Sequence, residues 1–170
     1  MHLHKQLTTL ALLTGGLLLG ATGTVTANAK YQGHSSTPTE LRGTWYQYQG
    51  KHKWLKIKIT KHAFNWNNQL RYTPQKKSWH QLYIKKYKKG QDAGDGIKGY
   101  GGTNYVFNGK LKFDYQRLGN FWLSKQRVKG QRVMKSYKNM FDFKVYTKKK
   151  IAHDYSYQYK GKQYMNRIGR

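Results

Sequence analysis

Residues that could carry acid–base chemistry are few and scattered in this sequence. The chain has 6 Asp and Glu against 33 Lys and Arg. A glycosidase needs two carboxylates that converge on one bond, and Asp142 and Asp154 are a pair that neighbouring strands could bring together. The simpler interpretation is that each acid neutralises nearby lysines. We therefore predict no catalytic residues and no enzymatic activity.

Metal-ligand and nucleophile motifs do not occur either. The chain contains no Cys, its His residues lack the spacing of a zinc pair, and neither H-E-x-x-H nor G-x-S-x-G is found. Residues 94–99 match G-x-G-x-x-G, but a dinucleotide-binding loop must follow a strand and open a helix. We therefore predict no metal and no cofactor, and we interpret residues 90–102 as a Gly-rich loop between strands.

Positive charge is the strongest chemical signal in the chain. The net charge is +27 at pH 7, whereas a magnitude of about 2 to 8 keeps a small domain soluble. Such a surface attracts polyanions, although lysines also solvate the outer face of a sheet and protect its edges. We favour the polyanion interpretation. The predicted polyanion-binding residues are Lys56, Lys58, Lys85, Lys86, Lys88, Lys89, Lys148, Lys149 and Lys150.

Aromatic residues accompany these cations. The chain has 15 Tyr, 6 Phe and 5 Trp, a content that argues against disorder. Aromatic faces beside cations suit sugars in acidic glycans and single-stranded nucleic acid, but no signature of a nucleic-acid-binding fold occurs. Core packing, with lysine stems lying along the rings, explains the same pattern. We predict an anionic cell-wall polymer or an acidic glycan as the partner and no specific nucleic acid.

Alternation with a period of two predicts the elements that position these side chains. Ile57 and Ile59 alternate with Lys56 and Lys58, as in a strand with one buried face. Similar segments recur between turn signals, so we predict about nine or ten strands joined as neighbours. Because free strand edges aggregate, a meander of this size must close. The predicted fold is all-β, an antiparallel meander that closes into a small β-barrel, with a two-sheet β-sandwich as the alternative.

Short Gly-containing segments mark the turns. Asn108-Gly109 is the strongest hairpin signal, because both central residues of a type I′ turn need a positive φ. It predicts that Val106 pairs with Leu111. Residues 129–131, Lys-Gly-Gln, separate FWLSKQRV from RVMKSY and predict another hairpin.

The first residues have the layout of a secretory signal peptide. A short basic start precedes an apolar run over residues 7–19, and residues 27–29 form an A-x-A cleavage site. The apolar run is shorter than the roughly 20 residues that span a bilayer, so we expect no transmembrane span. A secreted chain without Cys folds on packing alone, which fits export from a Gram-positive type of cell. The predicted organisation is a cleaved signal peptide over 1–29, a flexible leader over 30–40 and a single β-barrel domain over 41–170.

Gly43-Thr44-Trp45, at the start of the first predicted strand, resembles the G-x-W motif of the lipocalins and their calycin relatives. The resemblance implies a lipocalin-like up-and-down barrel that Trp45 closes at one end. It also implies that a basic residue near the last strand packs across this ring, for which Arg167 is the candidate. The predicted barrel-closing and ligand-stacking residues are Trp45, Trp54, Trp79, Trp122 and Arg167.

The order of the segments, with L-R-G-T-W-Y followed by I-K-I-T-K-H, is similar to that of small uncharacterised secreted proteins of lactic acid bacteria. This likeness implies a secreted protein, extracellular or associated with the cell wall, and supplies no activity. We expect a strongly basic, non-enzymatic protein that attaches electrostatically to anionic cell-envelope polymers such as teichoic acid. The alternative is a lipocalin-like carrier of a small apolar ligand in the barrel.

Overall fold

The structure, a computed structural model, describes residues 36–76, 79–87, 103–108, 118–139, 142–158 and 168–169. These residues form strands, turns and one short 3₁₀ helix, Thr39–Leu41. The strands are β1 (Gly43–Tyr48), β2 (Trp54–Thr60), β3 (Ala63–Trp66), β4 (Leu70–Tyr72), β5 (Ile84–Lys86), β6 (Tyr105–Phe107), β7 (Gly119–Val128), β8 (Gln131–Tyr137), β9 (Asp142–Thr147) and β10 (Tyr157–Gln158).

These strands form one curled antiparallel sheet in which chain neighbours lie side by side. The order is β4-β3-β2-β1-β9-β8-β7-β6-β5, and β10 pairs with β9. Tyr46 on β1 lies opposite Thr147 on β9, which joins the two meanders. On the other side of the curl, the Thr73 amide donates to the His80 carbonyl at 3.1 Å, and the Leu82 amide donates to the Thr73 carbonyl at 2.9 Å. These bonds connect the two ends of the sheet, which curls into a half-barrel of lipocalin-like form. The predicted fold class, an all-β antiparallel meander, is confirmed.

The barrel interior is filled by one face of each strand. On β2, Ile57 and Ile59 are buried while Lys58 between them is exposed, as the period of two predicts. At the centre, the Phe107 and Phe121 rings have centroids 4.8 Å apart. The interior cluster contains Leu41, Trp45, Ile57, Ile59, Phe64, Tyr72, Leu82, Ile84, Tyr105, Phe107, Phe121, Leu123, Met134 and Tyr146. Because β1 to β9 all contribute to it, the barrel has a single core.

The outer face of β7–β9 is buried as well, and most of its side chains are apolar. Trp122, Tyr137 and Phe143 are buried on it and alternate along their strands with residues of the interior cluster. Tyr157 stacks on Phe143, with ring centroids 5.1 Å apart and an angle of 8° between the planes. The segment 151–158 therefore covers this face, so the strands of this part of the barrel are buried on both sides.

The β7–β8 hairpin is the one that residues 129–131 predict. Val128 lies opposite Gln131, and the two residues between them, Lys129 and Gly130, have φ angles of 46° and 74°. Two successive positive φ angles are those of a type I′ turn, whose twist matches that of the flanking strands. The prediction of a hairpin here is confirmed.

The pairing predicted at Asn108-Gly109 is wrong. Asn108 has the expected positive φ of 59°, but both edges of β6 have other partners. Val106 lies opposite Lys85 on β5 and opposite Asn120 on β7, so no edge is left at Val106 for Leu111. Leu111 itself lies outside the described residues.

The last part of the predicted leader packs against the barrel. The Thr37 amide donates to the Lys61 carbonyl at 2.9 Å, and the Thr37 hydroxyl donates to the Thr60 carbonyl at 2.6 Å. Leu41, at the end of the 3₁₀ helix, is completely buried in the interior cluster. The chain is therefore anchored at one end of the barrel before β1 begins. Residues 1–35 lie outside the described residues.

Candidate functional site

The register of β1 and β2 places cations beside aromatic rings on the outside of the barrel. Tyr46 lies opposite Lys56, and Tyr48 lies opposite Trp54. The Tyr48 and Trp54 ring centroids are 5.5 Å apart, with an angle of 57° between the planes. All four side chains are partly exposed, because the alternate residues of both strands point into the barrel.

Lys150 reaches the same surface from the segment that follows β9. Its Nζ lies 5.1 Å from the centroid of the Trp54 ring and 5.7 Å from that of Tyr46. The Trp54 indole N–H donates to the Ile151 carbonyl at 3.2 Å, which holds this segment against β2. We call this surface the basic–aromatic face; it consists of Tyr46, Tyr48, Trp54, Lys56, Lys58 and Lys150.

Two further polar residues continue this surface across β3 and β4. Lys58 lies opposite Asn65, and Asn65 lies opposite Arg71. Lys58 and Arg71 are exposed, and their backbones are two strand spacings apart, about 10 Å. The cations therefore form a row across the sheet, along which a linear polyanion can make several contacts at once.

The carboxylates of the described residues accept hydrogen bonds from groups outside the basic–aromatic face. Glu40 accepts a hydrogen bond from the Tyr105 hydroxyl. Asp142 accepts one from the side chain of Gln158 on β10, and Asp154 accepts one from a backbone amide just before β10. In the described part of the chain, negative charge therefore lies outside the basic–aromatic face.

Lys148 has a structural contact at the end of the barrel. Its Nζ lies 3.6 Å from the centroid of the Trp45 ring and donates to the Arg42 carbonyl at 2.8 Å. The Trp45 indole N–H donates to the Leu41 carbonyl at 2.8 Å. Partial burial lowers the pKa of the Lys148 ammonium. This ammonium therefore helps to close the barrel.

The backbone conformation at residue 43, two positions before Trp45, requires a glycine. The φ angle of Gly43 is +118°, a backbone conformation that residues other than glycine rarely adopt. A Cβ at this position would also collide with the Lys148 ammonium. The resemblance to lipocalins implied that a basic residue near the last strand packs across Trp45. Lys148, directly after β9, lies there, while Arg167 lies outside the described residues.

Three further described lysines of the predicted polyanion-binding set, Lys85, Lys86 and Lys149, are not members of this face. Lys85 and Lys86 lie on β5. Lys149 is exposed after β9, and its amide donates to the Gln131 side chain at 3.0 Å. The structure therefore brings Lys56, Lys58 and Lys150 together. Lys88, Lys89 and the Gly-rich loop 90–102 lie outside the described residues.

The four predicted stacking tryptophans occupy four different environments. Trp45 lies in the barrel interior, and Trp54 lies on the basic–aromatic face. Trp79 is 52% exposed, and its ring centroid is 3.4 Å from that of His80. Trp122 is fully buried on the outer face of β7–β9. Of these four rings only Trp45 belongs to the interior cluster, so together they do not line one internal site.

The sequence pattern did not single out Lys135, which is fully buried. Its Nζ lies 4.8 Å from the centroid of the Tyr157 ring and 5.6 Å from that of Trp122. Burial lowers the pKa of this lysine to about 7. The sequence contains a signal that could have identified Lys135 as buried. In residues 133–137, V-M-K-S-Y, alternation puts Lys135 on the same face as Val133 and Tyr137.

Comparisons with protein-family models, with curated proteins and with solved structures find no match. Within the described ranges, no helix has the length and apolar character that crossing a membrane requires. In the same ranges, no three His, Asp or Glu side chains gather as metal ligands would. The described geometry offers ammonium groups that can pair with phosphate or carboxylate, next to partly exposed aromatic rings.

Proposed function

We propose that this protein is secreted and attaches electrostatically, without a catalytic step, to an anionic polymer of the cell envelope such as teichoic acid. The basic–aromatic face supports this proposal, because it holds Lys56, Lys58 and Lys150 on one outward surface. Hydrogen bonds between an ammonium and a phosphate or carboxylate are stronger than neutral ones. Several of them on one polymer reinforce each other, since the second contact is intramolecular.

The charge of the whole chain and its first segment support the same function. A net charge of +27 raises the rate at which a polyanion meets the protein. The signal-peptide layout of residues 1–29 delivers the protein to the outside of the cell. There, in a cell of the Gram-positive type, the wall presents repeated negative charge.

Packing in the barrel interior favours surface binding over carriage of a small apolar ligand. A carrier needs free volume inside the barrel. The rings of Phe64, Phe107 and Phe121 contact each other there, with centroid distances between 4.8 Å and 5.6 Å. Trp54 and Trp122, which a carrier would use to stack on its ligand, lie outside the interior cluster.

The test is binding of the chain from residue 30 onwards to purified Gram-positive cell walls with and without teichoic acid. Salt is varied from about 50 to 500 mM, a range in which phosphate contacts weaken strongly. We expect binding that requires teichoic acid and decreases steeply with salt. Binding that survives both the removal of teichoic acid and high salt would contradict the proposal.

A charge-matched pair of variants assigns the binding to the face. Lys56→Gln/Lys58→Gln/Lys150→Gln removes three cations from it. Lys125→Gln/Lys129→Gln/Lys138→Gln removes three exposed cations elsewhere. We expect the first variant to bind the wall much more weakly than the second; equal losses would mean that net charge alone is responsible.

A further inference from the structure

We infer that the polymer bound at the basic–aromatic face is a glycan with its negative charge on or beside the sugar rings, and that Trp54 and Tyr48 form a stacking site for a sugar. This inference rests on the proposed function and specifies the chemical class of its ligand. It concerns the aromatic half of the face, which charge pairing alone does not use.

The two rings lie together at the end of the β1–β2 ladder. Tyr48 and Trp54 face each other across the strands, and the His52 ring lies 6.4 Å from Trp54 between centroids. Both rings remain partly exposed, so part of their apolar surface contacts water in the free protein. A sugar presents a C–H face that can cover such a surface while its hydroxyl groups stay hydrated.

The Trp54 ring is held in one orientation before any ligand arrives. Its N–H donates to the Ile151 carbonyl at 3.2 Å, and the Lys150 ammonium lies 5.1 Å from its centroid. Ordering a side chain on binding costs about 0.5–1.5 kcal/mol, and a ring that is already ordered avoids this cost. A pre-positioned aromatic ring at a surface is therefore suited to stacking.

Cations stand directly beside these rings. Lys56 lies opposite Tyr46 in the strand register, and Lys150 contacts both Tyr46 and Trp54. A ligand that uses the rings and the ammonium groups together must carry charge within one sugar's length of an apolar ring face. An acidic glycan has this arrangement, whereas a polyanion without rings leaves the aromatic contacts unused.

Single-stranded nucleic acid also combines charge with rings, but the geometry here favours the glycan. Nucleobases stack in succession on aromatic faces that they can cover in parallel. The planes of Tyr48 and Trp54 are inclined by 57° and those of His52 and Trp54 by 51°. Rings inclined in this way do not offer one flat platform to successive bases, whereas each can contact a sugar separately.

The test compares three polymers at equal charge concentration and about 100 mM salt, where charges a Debye length apart are screened. Polygalacturonate carries a carboxylate on every sugar, polyglutamate carries carboxylates without sugar, and poly(dT) carries phosphates with bases. We expect polygalacturonate to bind about tenfold more tightly than polyglutamate, a ratio within the range of one aromatic stacking contact. Poly(dT) is expected to bind more weakly than polygalacturonate.

Variants at the rings separate stacking from charge. Trp54→Leu and Tyr48→Leu are each expected to lower the affinity for polygalacturonate about tenfold and to leave polyglutamate within about twofold, because neither changes the net charge. Trp54→Phe retains a ring and should restore most of the affinity. Trp79→Leu removes an exposed ring away from this face and should have no effect. Thermal unfolding verifies that each variant is folded. If Trp54→Leu is unfolded, Tyr48→Leu provides the test in its place.

The outcomes distinguish this inference from the proposed function. The stacking site is overturned if polygalacturonate and polyglutamate bind equally, and if each of Trp54→Leu and Tyr48→Leu changes the affinity for the two polymers by the same factor. Electrostatic attachment stands in that case. Tighter binding of poly(dT) than of polygalacturonate would assign the face to nucleic acid and overturn the inference. If none of the three polymers binds, the inference fails, while binding to cell walls with and without teichoic acid decides the proposed function separately.

Discussion

Lys135 is fully buried, whereas a lysine in a strongly basic protein is expected at the surface. The rings of Trp122 and Tyr157 flank its ammonium, and attraction to their faces favours the charged form. Removal from water disfavours the charged form, and this effect is the larger one, because burial lowers the pKa of Lys135 to about 7. One lysine of this strongly basic chain is therefore partly neutral near neutral pH.

Replacing Lys135 by Met is expected to flatten the pH dependence of the free energy of unfolding. The pKa is about 7 in the folded chain against an ordinary value of 10.5, so between these values the unfolded chain binds a proton that the folded chain lacks. In this window the free energy of unfolding rises with pH by up to about 1.4 kcal/mol per pH unit from this group. As pH falls, this contribution decreases until about pH 7, below which it stays constant.

Denaturant unfolding between about pH 7 and 9.5 measures this slope in the wild type and in Lys135→Met. The Met side chain has a similar length and no charge, so it keeps the apolar contacts. Lys138→Met, at an exposed lysine just after β8, is the control and should keep the wild-type slope. A slope that Lys135→Met leaves unchanged would mean that Lys135 stays charged in the folded protein.

The neighbours Lys148 and Lys150 show how far residue type alone predicts the site. Both were predicted to bind a polyanion, because they belong to one run of lysines. In the structure the Lys148 ammonium packs on Trp45 at the barrel end, while that of Lys150 lies beside Tyr46 and Trp54 on the outer face. Their residue type is the same, and only their distant partners distinguish a structural lysine from a candidate binding residue.

At the scale of elements, local turn chemistry predicted where the chain reverses but not always which strands pair. The β7–β8 hairpin needed no distant information, because its two turn residues connect strands that pair with each other. The turn signal at Asn108-Gly109 was the stronger of the two, yet β6 pairs with β5 and β7. Strand pairing depends on the burial of a whole sheet face, which two turn residues do not encode.

The β7–β8 turn is expected to become more stable when Lys129 is replaced by Asn. Lys129 has a φ of 46°, and Asn tolerates positive φ better than Lys does, so Asn-Gly is the preferred type I′ pair. We expect the free energy of unfolding to increase by about 0.5 kcal/mol, measured by denaturant unfolding. Lys125→Asn, the same substitution at an exposed position within β7, should be neutral or destabilising. A loss of stability in Lys129→Asn would argue against the type I′ turn.

At the scale of the whole molecule, the arrangement of charge determines how binding responds to salt. Each ammonium that pairs with a phosphate releases counterions, so the slope of log affinity against log salt counts the contacts. Lys58→Gln and then Lys56→Gln/Lys58→Gln are expected to reduce this slope stepwise, by about 0.7–0.9 per lysine. Binding to teichoic-acid-containing walls over a series of salt concentrations measures it.

Lys125→Gln/Lys129→Gln, outside the basic–aromatic face, is the control for this series. It lowers the net charge by the same amount as Lys56→Gln/Lys58→Gln. We expect it to reduce the affinity slightly and to leave the slope unchanged, because neither lysine belongs to the face. Equal slopes for both double variants would show that the polymer contacts no particular part of the surface.

The sequence by itself determined the features that depend on neighbouring residues. The period of two assigned Ile57 and Ile59 to the inside and Lys58 to the outside, because side chains alternate along any strand. The approximate number of strands and the β7–β8 turn followed from the same local rules. Composition added the excess of positive charge, which needs no structure at all.

Only the tertiary structure decided which side chains meet across the barrel. Lys148 contacts Trp45, Lys150 contacts Trp54, and Lys135 is buried beneath Tyr157, although each pair joins different parts of the chain. These contacts form because β1 pairs with β9 and the segment 151–158 covers the outer face of β7–β9. The pairing of distant strands and the coverage of the outer face bury surface from many strands together, so no local pattern contains them.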